Sequence, residues 1–501
     1  MNPGKRARCL KSTKPYDHAI VVGASMAGLM AARVLSDHFV QVTVLERDVL
    51  KADPGPRPGV PQSRHLPALL PRGLQILEAF FPGLSDEMQS IGAVRIDLGA
   101  DVAWLTSQGW GLQIRSGLVA LSSTRDLLEH RVRRRVAEIP NVMICAGTEV
   151  MGLLRGGSGE IGGVRTRVRS HELAQPDHKL TGDVVVITTG RHSAVAQWFP
   201  DVLIEAPAMT IVDAHIGYAS RLYRRPKLAD LPWRALILQS APPVANRGGL
   251  MFAVEDDRWQ VTLTGGDRDY PPTDEAGFLE CAHSLRSPEL YQTIREAEPL
   301  TTIWGCRANE NRRRYFERIG EWPEGLMVMG DAACGFNPIY GQGVTAAALE
   351  AAALNRLLTD GFPGKSLAKT FQQEIAHILH SPWTLATSAD LRFSSVEGAS
   401  AGWSTRFMHS YIDRVLRLGT KDPMARQRFL EVQGMRSEIG AMLRPDMLAR
   451  VLSAALRPNR SPLAEGGRAQ PPTPPLRRGQ DNEPLTNPIS AAPADRQREA
   501  S

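Results

Sequence analysis

The chain has 501 residues, 43% hydrophobic and 22% charged, a balance that suits a large globular core and two or three domains. Its net charge of +6 does not describe a nucleic-acid surface, because the basic residues gather at the two ends, in Arg131 to Arg135 and in Arg312 to Arg314, with no interleaved aromatics to stack on bases. Five widely spaced cysteines (Cys9, Cys145, Cys281, Cys306, Cys334) include no CxxC pair, which excludes a standard zinc ribbon and a disulfide framework and fits a reducing cytosol.

Residues 1–16 read as a flexible leader without the apolar segment of a signal peptide. Ala19-Ile20-Val21-Val22 is short, apolar and β-branched, as a buried parallel strand should be. The turn Gly23-Ala24-Ser25-Met26-Ala27-Gly28 follows at once, then a helix with few polar interruptions, then a second strand, Gln41 to Leu45, ending on Glu46. This is the pattern of a dinucleotide fingerprint. Gly23 permits the tight turn, Gly28 lets the helix lie close to the strand, and Glu46 sits where a carboxylate can accept from a ribose. The free N–H groups of the helix start suit a pyrophosphate, and Ser25, at the usual middle glycine, is small and can donate.

The stretch Asp53 to Gln62 is too rich in proline and glycine for a regular element. A helix is predicted over Leu66 to Phe81, short strands carrying Trp104 and Trp110 over Val94 to Ile114, and a helix capped by Ser123 or Thr124 after that. Residues 141–190 read as a strand meander, and residues 208–320 as antiparallel strands, such as Ile211 to Tyr223, with helices near Glu275 to Ala297. Beyond Leu367 the pattern is helical to Leu456, and the Pro- and Arg-rich remainder reads as a disordered tail. No uncharged apolar run outside the fingerprint approaches a spanning helix, so a cytoplasmic protein is expected, with the basic termini leaving peripheral contact with a membrane open.

Some 300 residues after the fingerprint the βα pattern returns. Gly325 to Met329 is a strand, Gly330-Asp331 ends it, and a turn containing Pro338, Gly341 and Gly343 opens an alanine-rich helix, Gly343 to Leu358. An acid at a strand end can hold a sugar or ribitol hydroxyl, and the N–H groups from Gly341 to Val344 can hold electron-rich atoms. GDAACGFNPIYGQGVTAAALEA resembles the second FAD motif of the flavin monooxygenase superfamily, which includes aromatic hydroxylases, squalene epoxidase and bacterial polyether epoxidases. Arg57-Pro58-Gly59-Val60-Pro61-Gln62 with His65 resembles a segment of its epoxidase-like members, and Ser123 to Glu129 resembles a helix start whose Arg contacts FAD. The likeness covers most of residues 17–450.

The resemblance implies an α/β fold. A Rossmann-like FAD-binding domain of the glutathione-reductase type (17–207 and 321–363) is interleaved with a β-sheet-rich substrate domain (208–320) and followed by a helical C-terminal region (364–456) and a disordered tail (457–501). The cofactor-binding residues it implies are Gly23, Ser25, Met26, Ala27, Gly28, Glu46, Arg47, Arg125, Asp331, Pro338, Gly341, Gln342, Gly343 and Val344. FAD would carry the chemistry, with NADPH, NADH or a reduced partner as electron donor and O2 as co-substrate, through a flavin C4a-hydroperoxide. Ile187 stands where many members have an Asp linked to FAD and nicotinamide contacts, and Pro67 where a second His is common.

The expected activity is hydroxylation or epoxidation of a lipophilic molecule such as a polyene, a terpenoid or an aromatic compound. A prenyl-reductase-like reductase and a flavin-binding protein without oxygenase activity are the alternatives, and the absence of a WxWxIP segment argues against a halogenase. No catalytic triad or metal cluster is apparent, and none is required. His65 reads first as a structural histidine, and Trp233, Trp259 and Trp304 as either core or pocket wall.

Overall fold

The computed structural model describes residues 14, 16–65, 69–169, 177–225, 231–307, 310–361 and 366–455. The expected tail and all but the last residues of the expected leader lie outside these. Tyr16 is already part of the first strand, Tyr16–Val22, where its ring stacks on Phe39 with centroids 4.9 Å apart.

That strand is the centre of a five-stranded parallel sheet. In spatial order the sheet runs Leu326–Val328, Val184–Ile187, Tyr16–Val22, Phe39–Glu46, Val142–Ala146. Val184 to Ile187 are fully apolar and buried, as a central parallel strand requires. This corrects the meander expected over residues 141–190: its first and last strands join the parallel sheet. Only Thr148–Arg155, Ile161–Val168 and His178–Thr181 form the antiparallel meander. The fingerprint helix Met26–His38 and the long helix Gly343–Asp360 pack on each other beside the sheet.

A seven-stranded sheet forms the second layer. Its order is Trp304–Cys306, Gly217–Arg224, Arg258–Gly265, Arg247–Val254, Ala235–Leu238, Val102–Thr106, Gly109–Trp110. Period-two alternation divides its faces. Ala219, Tyr223, Val261, Leu263 and Met251 face the short helices Glu275–His283 and Glu289–Ile294. Ala235, Ile237 and Phe252 face the C-terminal helices Trp403–Leu418 and Pro423–Gln433. The strands within residues 208–320 pair antiparallel as expected, whereas Val102–Thr106 joins Ala235–Leu238 in parallel, so the segment 17–207 supplies strands to both sheets.

Two further boundaries differ from expectation. The helix predicted from Leu66 runs from Pro71 to Phe80, because Pro71 suits the first helical position and residues 66–68 lie outside the described chain. The strand expected over Ile211 to Tyr223 is two strands in different sheets, Met209–Val212 and Gly217–Arg224, broken where His215 takes a positive φ of 47°. Among the described residues no helix is long and apolar enough to cross a membrane.

Candidate functional site

The two glycine-rich turns leave the carboxyl ends of strands separated only by Val184–Ile187, and they touch. Gly330 has a φ of +64°, and a Cβ built on it would lie 2.7 Å from the Cβ of Ala27. Gly28 is equally confined, with a hypothetical Cβ 1.8 Å from the Gly23 carbonyl oxygen and 2.7 Å from Thr188 Oγ1. Gly23 itself turns at φ +107°.

Around the first turn lies a compact charged cluster. The buried Glu46 carboxylate accepts from the Ala24 N–H (2.8 Å) and the Asp48 N–H (3.0 Å), and pairs with Arg57 Nη1 at 3.0 Å. Arg57 also reaches Asp48 (3.0 Å) and Glu129 (2.9 Å) and donates to the Ala24 carbonyl (3.2 Å). Burial disfavours its charge, but Glu129 and Glu46 more than offset this and raise its pKa. Ser25 does not cap its helix. Its hydroxyl donates to Glu129 Oε2 (2.7 Å) and accepts from Arg125 Nη2 (3.1 Å). Burial would raise the Glu129 carboxyl, and Arg125 and Arg57 pull it below the usual range. Arg125 opens the helix Arg125–Ala137, capped by Thr124, and its Nε is buried without a partner. Arg47 is exposed beside the cluster.

At the second turn, Asp331 follows Gly330 directly. Burial raises its carboxyl pKa, with Arg191 and Arg125 pulling the other way, and no protein donor among the described residues bonds it. Asn337 caps a short turn over Pro338–Tyr340, and Gly341 closes it at φ +64°. The chain folds back so that a Cβ on Gly343 would lie 3.6 Å from Asp331 Oδ1. The helix from Gly343 through Val344 has no side-chain cap, while Gln342 Oε1 and Thr345 Oγ1 are buried with no partner among the described residues. Ile187 is a fully buried core residue of the sheet.

The second turn is also the floor of a cavity of about 280 Å³. Pro338 to Gln342 form the floor, and Ile237, Leu250, Phe252, Thr262 and Thr264 form the sheet wall. Leu385, Met408, Ile412, Leu416, Phe429 and Val432 of the C-terminal helices form the roof. That roof had no functional reading in the sequence. Of the tryptophans, Trp104 lines the cavity, whereas Trp233 and Trp259 pack together in the core with centroids 5.5 Å apart. Trp304 sits on an edge strand under Arg64, 5.7 Å away. His65, expected first as a structural residue, lines the cavity and bonds Ser220 through Nδ1 at 2.8 Å.

The model of the FAD binding domain family matches residues 17–378. Protein Rv3254 of Mycobacterium tuberculosis (strain ATCC 25618 / H37Rv) is 32% identical over 433 residues, which cover 83% of this chain and 89% of that protein. Among solved structures, the fold is similar to the flavin-dependent brominase Bmp2, with a TM-score of 0.62 and 15% identity over 87% of this chain and 98% of that one. It is also similar to p-nitrophenol 4-monooxygenase PnpA from Pseudomonas putida DLL-E4, with a TM-score of 0.59 and 18% identity over 84% of this chain and 98% of that one. At such identities the structural likeness is one of fold. The chain belongs to the FAD binding domain family.

Proposed function

We propose that this chain is a monooxygenase that hydroxylates or epoxidises a lipophilic small molecule, a polyene, terpenoid or aromatic compound, with NADPH, NADH or a separate reductase supplying electrons. The observation that carries this reading is the shared turn: Pro338 to Gln342 belong to the cofactor motif and also floor the apolar cavity. A substrate in that cavity would lie against the cofactor turn with little room for water.

The residues present fit FAD. The uncapped helix starts at Met26 and Gly343 offer N–H donors to phosphate and ring oxygens. Among the described residues Asp331 has no donor, and Arg125 Nε and Gln342 Oε1 are buried without a partner. Bound FAD supplies two-electron redox chemistry and the activation of dioxygen. In this reading, Met26, Ala27 and Arg125 hold the pyrophosphate, Asp331 holds a ribitol hydroxyl, and the Pro338–Val344 turn orients the ring. Glu46 is already bonded to Arg57, so a ribose hydroxyl would share that carboxylate rather than take it alone. The apolar wall and roof keep water from the reacting centre.

The test is anaerobic titration of the purified holoprotein with NADPH and NADH, followed by admission of air in the presence of a panel of apolar compounds. Oxygen uptake coupled to an oxygenated product supports the reading. Substrate reduction without oxygen uptake assigns the chain to the reductases, and bound flavin inert to both nucleotides and to a reductase sinks the enzymatic reading.

A further inference from the structure

Strand register places a polar stripe in the mostly apolar sheet wall, apart from Gln239, Ser240 and Asn246 at its edge. Tyr218 pairs with Thr264 and Ser220 with Thr262 across neighbouring strands, so all four side chains share one face. Against this stripe lies the short helix Pro61–Arg64, whose last carbonyl accepts from Gln260 Nε2 at 3.1 Å. His65 follows, and its Nδ1 stands 2.8 Å from Ser220 Oγ, itself 2.7 Å from Thr262 Oγ1. Its ring lies 5.6 Å from that of Tyr218, whose hydroxyl accepts from the Ile339 N–H (3.3 Å) on the cavity floor. With Nδ1 engaged, Nε2 is the ring nitrogen that no described residue bonds.

We propose that His65, held by Ser220 and Thr262, is a specificity-determining subsite for one neutral oxygen of the substrate, a hydroxyl or a carbonyl. The inference rests on the reading of the cavity as the substrate site. The hydrogen-bond chain can run in either direction. If Ser220 donates to Nδ1, and Thr262 to Ser220, Nε2 carries its hydrogen and donates to a carbonyl. If Nδ1 donates to Ser220, and Ser220 to Thr262, Nε2 accepts from a hydroxyl. Arg392 also lines the cavity, but it is paired with Asp413, and His65 itself offers a carboxylate no opposite charge. Burial, with the nearby Arg64, pushes His65 down to about 4, so the ring is neutral at pH 7 and offers an anion no charge. A wall of leucine and isoleucine alone would seat a hydrocarbon without this array, and burying the three polar groups there has a cost.

The test is equilibrium dialysis of four probes against the oxidised holoprotein without reductant: 1-methylnaphthalene, 1-naphthol, 1-naphthaldehyde and 1-naphthoate. The wild type is expected to bind 1-naphthol or 1-naphthaldehyde about tenfold more tightly than 1-methylnaphthalene, the size of one good neutral hydrogen bond. His65→Leu should abolish that preference while still binding 1-methylnaphthalene, and His65→Gln should restore part of it. Preference for the alcohol puts the acceptor on Nε2, and preference for the aldehyde puts the donor there; either supports the subsite. The proposal is overturned by an equal preference in wild type and His65→Leu, by tightest binding of 1-naphthoate, or by no binding of any probe. Since dialysis involves no turnover, failure of oxygen uptake defeats the monooxygenase reading alone.

Discussion

The Tyr340 hydroxyl, on the floor turn, donates to the carboxylate of Asp390 at the end of the helix Leu367–Asp390, and Asn311 Nδ2 donates to the other oxygen at 2.5 Å. Asn311 Oδ1 in turn accepts from the Asn337 N–H at 2.8 Å. One buried network therefore fastens the second glycine-rich turn to the helical region that roofs the cavity. Burial pushes the Asp390 carboxyl up to about 7, with Tyr340 and Asn311 opposing and Asp213 adding to the rise. Tyr340→Phe removes a stabilising donor from a buried acid. It should cost about 1–3 kcal/mol in chemical denaturation and loosen flavin retention. It should also move Asp390 titration upward, readable as a shifted pH profile of the flavin absorption band, and an unchanged profile would show that the network does not reach the cofactor.

Glu350 makes a second prediction. Its Oε2 accepts from the Gly330 N–H at 2.6 Å, yet burial raises its carboxyl to about 8, against that bond and with Asp331 adding to the rise. An acid whose folded pKa lies above its unfolded one binds more protons when folded. Stability should therefore fall as pH rises from about 5 to about 8. Glu350→Gln keeps an acceptor for Gly330 and removes the ionisation. Its melting temperature should vary less than the wild type's between pH 5 and pH 8, and equal slopes would dismiss Glu350 as the source.

Gly330 and Asp331 separate shape from chemistry. Gly330→Ala meets Ala27 and a left-handed φ together, so it should disturb the contact between the turns and weaken FAD retention about tenfold or more. Asp331→Ala leaves that packing alone and removes an acceptor that no described residue bonds. It should yield folded protein with depleted flavin, whereas full yellow occupancy would refute the ribitol role.

Arg57 is the cation among Glu46, Asp48 and Glu129. Arg57→Ala leaves those buried carboxylates facing one another and should destabilise the protein by about 3–5 kcal/mol in urea. A loss of under about 1 kcal/mol would mean that water already screens the cluster.

The two glycine-rich turns were legible because their geometry is local: Gly23, Gly28, Glu46, Gly330 and Asp331 declare turns and strand ends within a few residues of themselves. The cavity was not, because its parts are made by pairing over long distances. Val102–Thr106 joins Ala235–Leu238 across more than a hundred residues, and nothing in either strand announces a parallel partner. Ser220 and Thr262 are ordinary polar strand residues until register sets them opposite each other beside His65. The helical pattern beyond Leu367 did not say that Met408 and Ile412 of Trp403–Leu418 would roof a cavity. Trp233 and Trp259 pack in the core, the commoner outcome for aromatics on alternating strands, and the tryptophan that does line the cavity, Trp104, carried no such signal.

The most direct test of the central claim is isotopic. The reduced holoprotein should be mixed with an extract of apolar metabolites under oxygen-18 gas, and the products read by mass spectrometry. The account predicts at least one product that carries a single labelled oxygen atom and requires both the protein and the electron donor. Products that are reduced but unlabelled, or label that appears only in hydrogen peroxide and water across the extract, would contradict it.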